Sequence, residues 1–242
     1  MVALATTIGL AACSDSGSTT ASTASSEVAT SAAAAEKQTS ARTADAALTV
    51  KDAAGRTIEF AEMPDRIVLA EGRAAYATAL LQENPLDNIV AYGQDLVKNA
   101  GAFRDKLLEL QPEAKDLPTI GMIQKGDVTV ENLLAQDPDV VIMTLDQKKA
   151  AEESGMIADM DAADITYAYI DFRQKPLENT TVSMQLLGDL LGQSERAAKY
   201  NEFYDAKVKE ISERAAKIAE KPDVLLWTAA GFVIYFLYGY RH

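Results

Sequence analysis

The sequence predicts an α/β fold in which a parallel sheet is flanked by helices, and three observations predict it. Short β-branched or apolar runs recur at Arg66–Ala70, Asn88–Tyr92, Asp139–Met143 and Tyr167–Ile170. Each run is followed by a helix-like stretch, and the runs are apolar throughout rather than alternating. Strands buried on both faces and separated by helices belong to a parallel sheet covered on either side. Ligands of such sheets sit beyond the carboxyl ends of the strands, so functional residues are sought there.

Composition narrows the function. Of the 242 residues, 48% are apolar and 24% charged, enough to bury a core. Lys and Arg number 23 against 36 Asp and Glu, a net charge of −13, and an acidic chain of this kind repels polyanions. No nucleic-acid partner is expected. With one His (His242) and one Cys (Cys13), the chain has no internal disulfide and no His/Cys metal cluster. Ser-His-Asp and Cys-His catalysis are disfavoured, because the single imidazole is the last residue.

The elements follow in order. Residues 1–13, MVALATTIGLAAC, form an uncharged apolar run too short to span a bilayer, and read as a signal peptide. Its end, Leu10-Ala11-Ala12-Cys13, resembles a bacterial lipobox, with Cys13 as the lipidation site; no Lys or Arg precedes it, which suggests a start further upstream. Residues 14–47 are 25 Ser, Thr or Ala out of 34 and read as a disordered tether. Residues 48–60 alternate around a turn at Ala53-Ala54-Gly55, as a β-hairpin does. They open an α/β lobe expected over 48–193.

A long helix is expected over 194–220. Ser194 to Ala219 contains no Gly or Pro, and Tyr200, Tyr204, Val208, Ile211, Ala215 and Ile218 recur at helical spacing. It suits a rigid strut between two lobes and equally a coiled-coil segment. Pro222 stops it, and residues 221–242 read as one new strand, Asp223–Leu226, followed by an aberrant tail. Trp227–His242 holds six aromatics in 16 residues, which suggests out-of-frame translation or truncation, with a core strand as the alternative.

Several strings, taken in order, resemble one family: the substrate-binding proteins of ABC importers for iron-siderophore complexes and cobalamin. They are the hairpin with Asp52 and Gly55-Arg56; Pro64-Asp65-Arg66-Ile67-Val68; Gly121 with Asp127; Val130-Glu131-Asn132-Leu133-Leu134 and Pro138-Asp139-Val140-Val141-Ile142; Tyr169-Ile170-Asp171-Phe172-Arg173 before Pro176-Leu177-Glu178-Asn179; and Leu187-Gly188 with Leu191-Gly192. The resemblance covers about Leu48 to Leu226 and implies the N-terminal lobe of a periplasmic-binding-protein-like fold. It also implies an extracytoplasmic protein that is not an enzyme, anchored to the membrane by lipid and partnered by a permease with its ATPase subunits. No resident cofactor is implied; the ligand is expected to carry ferric iron, with cobalamin or haem as alternatives. Family members have a second lobe after the long helix, and too few residues follow Glu220 to make one, so a nonfunctional fragment is a further alternative.

Two strand ends carry charge. Glu71-Gly72-Arg73 follows the first run, and Phe172-Arg173 follows the last. A guanidinium is always charged and forks its donors, so Arg73 and Arg173 suit carboxylate, hydroxamate or catecholate oxygens around ferric iron. Tyr76 and Phe172 suit the flat or apolar parts of a ligand. The competing reading pairs Arg73 with Glu71 or Asp171 and leaves it structural. Gly121 marks a further strand end expected to line the cleft, and Tyr92 and Thr144 are weaker candidates at two others. By resemblance to the family, Glu113 or Asp116 is expected to dock on basic residues of the permease. A hydrolase built on paired carboxylates remains a reading from another class, although no spacing of acids points to it.

Overall fold

The structure, a computed structural model, describes residues 47–218. Cys13, nearly all of the tether, and the expected strand and tail after the long helix lie outside these residues.

The described chain opens with strands β1 (Leu48–Lys51) and β2 (Thr57–Phe60), paired as the expected antiparallel hairpin. Asp52 builds the turn. Its buried carboxylate accepts the N–H groups of Ala54 and Arg56 at 3.0 and 2.9 Å, and Gly55 takes a φ of +81° that a side chain would resist.

Five parallel strands follow: β3 (Ile67–Leu69), β4 (Ile89–Gly93), β5 (Thr119–Ile120), β6 (Val140–Thr144) and β7 (Tyr167–Ile170). Their order across the sheet is β5-β4-β3-β6-β7. The chain therefore builds outward from β3 through β4 to β5, then returns to add β6 and β7 on the other side. Connections leave β3 and β6 in opposite directions, and a crevice opens at the carboxyl ends of such a pair. The four expected runs become β3, β4, β6 and β7, each end within one residue of its expected place.

The helices are α1 (Ala75–Leu81), α2 (Asp95–Asn99), α3 (Gly101–Leu110), α4 (Val130–Leu134), α5 (Leu145–Glu153), α6 (Met156–Ala162), α7 (Pro176–Leu190) and α8 (Ser194–Ala216). They divide between the two sheet faces because side chains alternate along a strand. Ile67, Leu69, Ile142 and Ile170 meet the layer that includes α1, α7 and the hairpin residues Val50 and Phe60. Val68, Val141, Met143 and Tyr169 meet the layer of α4, α5 and α6. All five residues of β6 are buried, which explains why its sequence carries no polar alternation.

The long helix forms as expected, with 23 residues spanning about 34 Å. Its first turns hold to the lobe: Ala197 is buried, and the Tyr204 hydroxyl donates to the Pro176 carbonyl at 3.0 Å. Every described residue from Lys209 onward is exposed. Among the described residues the helix ends at Ala216, short of the expected bound at residue 220, where Lys217 and Ile218 donate to the carbonyls three residues back and tighten the last turn.

Candidate ligand-binding site

A cleft of about 320 Å³ opens beyond β3, β6 and β7, at the switch point of the sheet. Glu71 and Arg73 enter it from the connection after β3, Thr144 and Asp146 from the end of β6, and Asp171, Phe172 and Arg173 from the connection after β7. Its wall is largely apolar: Tyr76, Ala77 and Leu80 come from α1, Met184 from α7 and Tyr200 from α8. The Tyr76 ring stacks on Phe103 of α3 with centroids 4.0 Å apart, which fixes the wall on that side.

Arg73 is held from both ends. Its Nε donates to Glu71 Oε1 at 2.7 Å and to Asp95 Oδ2 at 3.1 Å, and its Nη2 also reaches Glu71 Oε1. Asp95, buried at the start of α2, is itself fixed by the N–H groups of Gly72 and Arg73 at 2.8 and 3.0 Å. Arg173 comes from the opposite side. Its Nη2 pairs with Asp146, and its Nη1 lies 3.5 Å from the same Oε1 of Glu71.

The loop that carries Phe172 and Arg173 is shaped by Asp171. This buried carboxylate accepts the backbone N–H groups of Arg173, Gln174 and Lys175 and the Asn179 side chain, at 2.8 to 2.9 Å. Burial alone would raise its pKa, but these donors outweigh burial and hold the carboxyl below the ordinary aspartate value. Asp146 behaves alike: burial raises it, while the hydrogen bond and charge of Arg173 bring it below its ordinary value. Glu71 goes the other way. Burial and the nearby Asp95 push it above the ordinary glutamate value despite both arginines.

The structure thus brings Glu71, Arg73, Tyr76, Phe172 and Arg173 together in one cleft. It does not bring in Gly72 or Gly121. The Gly72 N–H is already donated to Asp95, and a Cβ there would stand 2.4 Å from the Gly93 carbonyl oxygen, so this glycine is required by the close approach of the β3 and β4 ends. Gly121 follows β5 at the edge of the sheet, away from the cleft, and a Cβ there would meet Asp127 at 2.4 Å. Tyr92 is buried in the core with its hydroxyl accepting from Arg104, whereas Thr144 does line the cleft. Glu113 and Asp116 lie exposed on a short 3-10 turn before β5.

Asp95 and Asp146 were not visible as site residues from sequence. A positional signal exists nonetheless: Glu71, Asp95, Asp146 and Phe172 each stand two residues beyond a strand end. Glu71 and Asp146 are two carboxylates in one cleft, as a hydrolase would have, but each is engaged by an arginine.

The lobe is doubly wound, and a cleft walled by aromatic side chains and two arginines opens at its switch point, where sheets of this kind hold small ligands. Residues 89–241 match the model of the periplasmic binding protein family, well over half of the chain, and the chain belongs to that family. The match runs through the long helix and into the aromatic tail. Membership implies an extracytoplasmic location, and among the described residues no helix is long and apolar enough to cross a membrane.

Among solved structures the chain is similar to the TroA-like periplasmic binding protein FepB from Veillonella parvula, with 27% identity and a TM-score of 0.66 over 72% of this chain and 51% of that one. It is also similar to a periplasmic solute binding protein from Veillonella parvula DSM 2008, with 18% identity and a TM-score of 0.55 over 73% and 51%. The chain spans about half the length of these relatives. No curated protein sequence matches it.

Proposed function

We propose that the chain serves as the extracytoplasmic substrate-binding component of an ABC importer, capturing a ferric siderophore or a related iron chelate for delivery to a membrane permease and its ATPase subunits. The observation that carries the reading is the pair of guanidinium groups, Arg73 and Arg173, brought from two different strand ends to one carboxylate oxygen beside an aromatic wall. Forked donors fit the oxygens that surround chelated iron, and the apolar wall fits the rest of the ligand. The iron is cargo, and the protein does no chemistry on it. The amount of apolar wall also favours haem, a flat macrocycle carrying carboxylates, as a second ligand to test.

Cys13, outside the described residues, is the proposed lipid attachment point. Metabolic labelling with a fatty acid should mark the parent and not Cys13→Ala; equal labelling would reject the anchor.

Calorimetric titration of the 242-residue chain with a ferric catecholate, a ferric hydroxamate, haemin and cobalamin tests the ligand class. Binding of a ferric chelate, weakened about tenfold to a hundredfold by Arg73→Ala or Arg173→Ala, is the expected result. Chelate affinity that neither substitution alters would reject the assignment of the site.

A further inference from the structure

Glu71 is unusual among the cleft carboxylates because a single oxygen, Oε1, contacts both arginines. Each arginine also has a carboxylate of its own, Asp95 for Arg73 and Asp146 for Arg173. Removing Glu71 from its place would therefore leave both guanidinium groups positioned, with donors facing one another across the space it vacates. We infer that Glu71 is the resident counter-anion of the cleft: it occupies the place of a ligand oxyanion, and an anionic ligand binds by exchanging with it. The inference rests on the proposed function for the identity of the natural ligand, but its physical content concerns any oxyanion.

Three features make the exchange physically reasonable. The Glu71 side chain is only 7% exposed, so its carboxylate is poorly hydrated where it lies. Asp95 holds Arg73 on its other side and repels Glu71. The backbone N–H groups of Gly72 and Arg73 hold Asp95, so that carboxylate is anchored to the main chain, whereas the Glu71 carboxylate is held by the arginines themselves. The consequence is selectivity. A neutral ligand cannot displace the carboxylate, whereas an oxyanion that bridges both arginines can.

Acidification should act in the same direction. The charged groups facing Glu71 are Arg73 on its own connection, Asp95 at the start of α2, and Arg173 beside Asp171 on the connection after β7; Asp146 at the start of α5 lies behind Arg173. Burial and Asp95 raise the Glu71 carboxyl, while Asp146 and Asp171 are held low and stay ionised. Glu71 is therefore neutralised ahead of Asp146 and Asp171 as pH falls, and it ceases to compete.

Inorganic sulfate is the probe, because it remains a dianion between about pH 7.5 and about pH 5. Its titration is followed through the arginine Nε–H resonances of the 242-residue chain. Glu71→Gln should bind sulfate about tenfold to a hundredfold more tightly than the parent at neutral pH, and adding Arg73→Ala should abolish the gain. Parent affinity should rise toward about pH 5, and that of Glu71→Gln should change less. Equal or weaker binding by Glu71→Gln overturns the inference, as does a gain that survives Arg73→Ala. If Glu71→Gln does not fold, the parent decides alone, and affinity that stays level or drops on acidification overturns it. Repeating the titration with a ferric catecholate separates the two ideas. Tighter sulfate binding without chelate binding leaves Glu71 as inferred and removes the siderophore, whereas chelate binding with no effect of Glu71→Gln on either ligand does the reverse.

Discussion

Gly188 of α7 lies so close to Ala197 of α8 that a Cβ on the glycine would stand 2.3 Å from that of the alanine. This contact lets the long helix seat on the lobe. Gly188→Ala should raise helix propensity by about 1 kcal/mol and still destabilise the protein, because overpacking a fixed contact costs about 1–3 kcal/mol. Urea unfolding measures the outcome, and Gly188→Ala combined with Ala197→Gly should recover most of the loss. A more stable single variant would show that α8 is free to shift.

Asp95 ties the end of β3 to the start of α2 through two backbone N–H groups and Arg73. Asn has one acceptor oxygen in place of two, so Asp95→Asn should destabilise by about 2–3 kcal/mol. It should also weaken chelate binding by disordering Arg73. Loss of stability with unaltered affinity would show that Arg73 keeps its place in the complex without the Asp95 carboxylate.

Acid stability should follow Asp171 and Asp146. Both are held below the ordinary aspartate value of 3.8, so each contributes stability that is complete above its unfolded value and is lost as pH falls through its lower folded value. Glu71 has the opposite sign. Raised above 4.5, it takes up its proton more readily when folded, so acidification through that range relieves a destabilisation. The unfolding free energy should therefore stay level or rise slightly from neutral pH to about 5 and fall below about 4. Asp171→Asn should be less stable at pH 7 and show a shallower acid fall. An equally steep fall would remove Asp171 as its source.

The hairpin is clamped to the sheet by Arg56. Its guanidinium forms two hydrogen bonds to Asp52, at 2.8 and 2.9 Å, and lies over the Tyr167 ring at 4.3 Å and the Tyr169 ring at 4.8 Å. Asp52 in turn accepts the Tyr169 N–H at 3.2 Å, which covers the free edge of β7. Arg56→Lys keeps the charge but loses the fork and the flat stack, and should destabilise by about 1–2 kcal/mol. Stability equal to the parent would show that charge alone holds the hairpin.

Glu113 and Asp116 lie on an exposed turn, apart from the cleft. If they meet basic residues of a permease, reversing both charges should lower uptake severalfold and leave chelate affinity intact, because rim charges act mainly on the association rate. Transport assayed in reconstituted vesicles checks this, and an unchanged rate would reject the docking role.

Much of the fold was legible because its signals are local. Runs such as Val140-Val141-Ile142-Met143 carry no polar residue on either face, as strands of a sheet covered on both sides do, and the helix-like stretches between the runs make that sheet parallel. The hairpin was legible from its alternation and Gly55, and α8 from its helical spacing and lack of Gly and Pro. The site was legible in part. Arg73 and Arg173 could be found because Arg after a strand end is conspicuous, whereas Asp95 and Asp146 depended on strand ends known to the residue. Those ends fall at Gly93 and Thr144, and in an acidic chain no local signal separates an Asp two residues beyond a strand end from a solvated surface acid.

The sequence by itself determined that the chain folds as a parallel α/β lobe, that a long helix follows it, and that a ligand cleft is to be sought at the carboxyl edge of the sheet. These follow from periodicity, apolar runs and turn residues, all of which act between near neighbours in the chain. Only the tertiary structure decided that Glu71, from the connection after β3, lies between two arginines, that Asp95 and Asp146 arrive from the ends of β4 and β6 to hold them, and that Gly72 and Gly121 serve close backbone approach rather than the cleft. The reason is range. An ion pair or a steric contact forms or fails over about an ångström, and the residues concerned are set together by strand order, which no local pattern records.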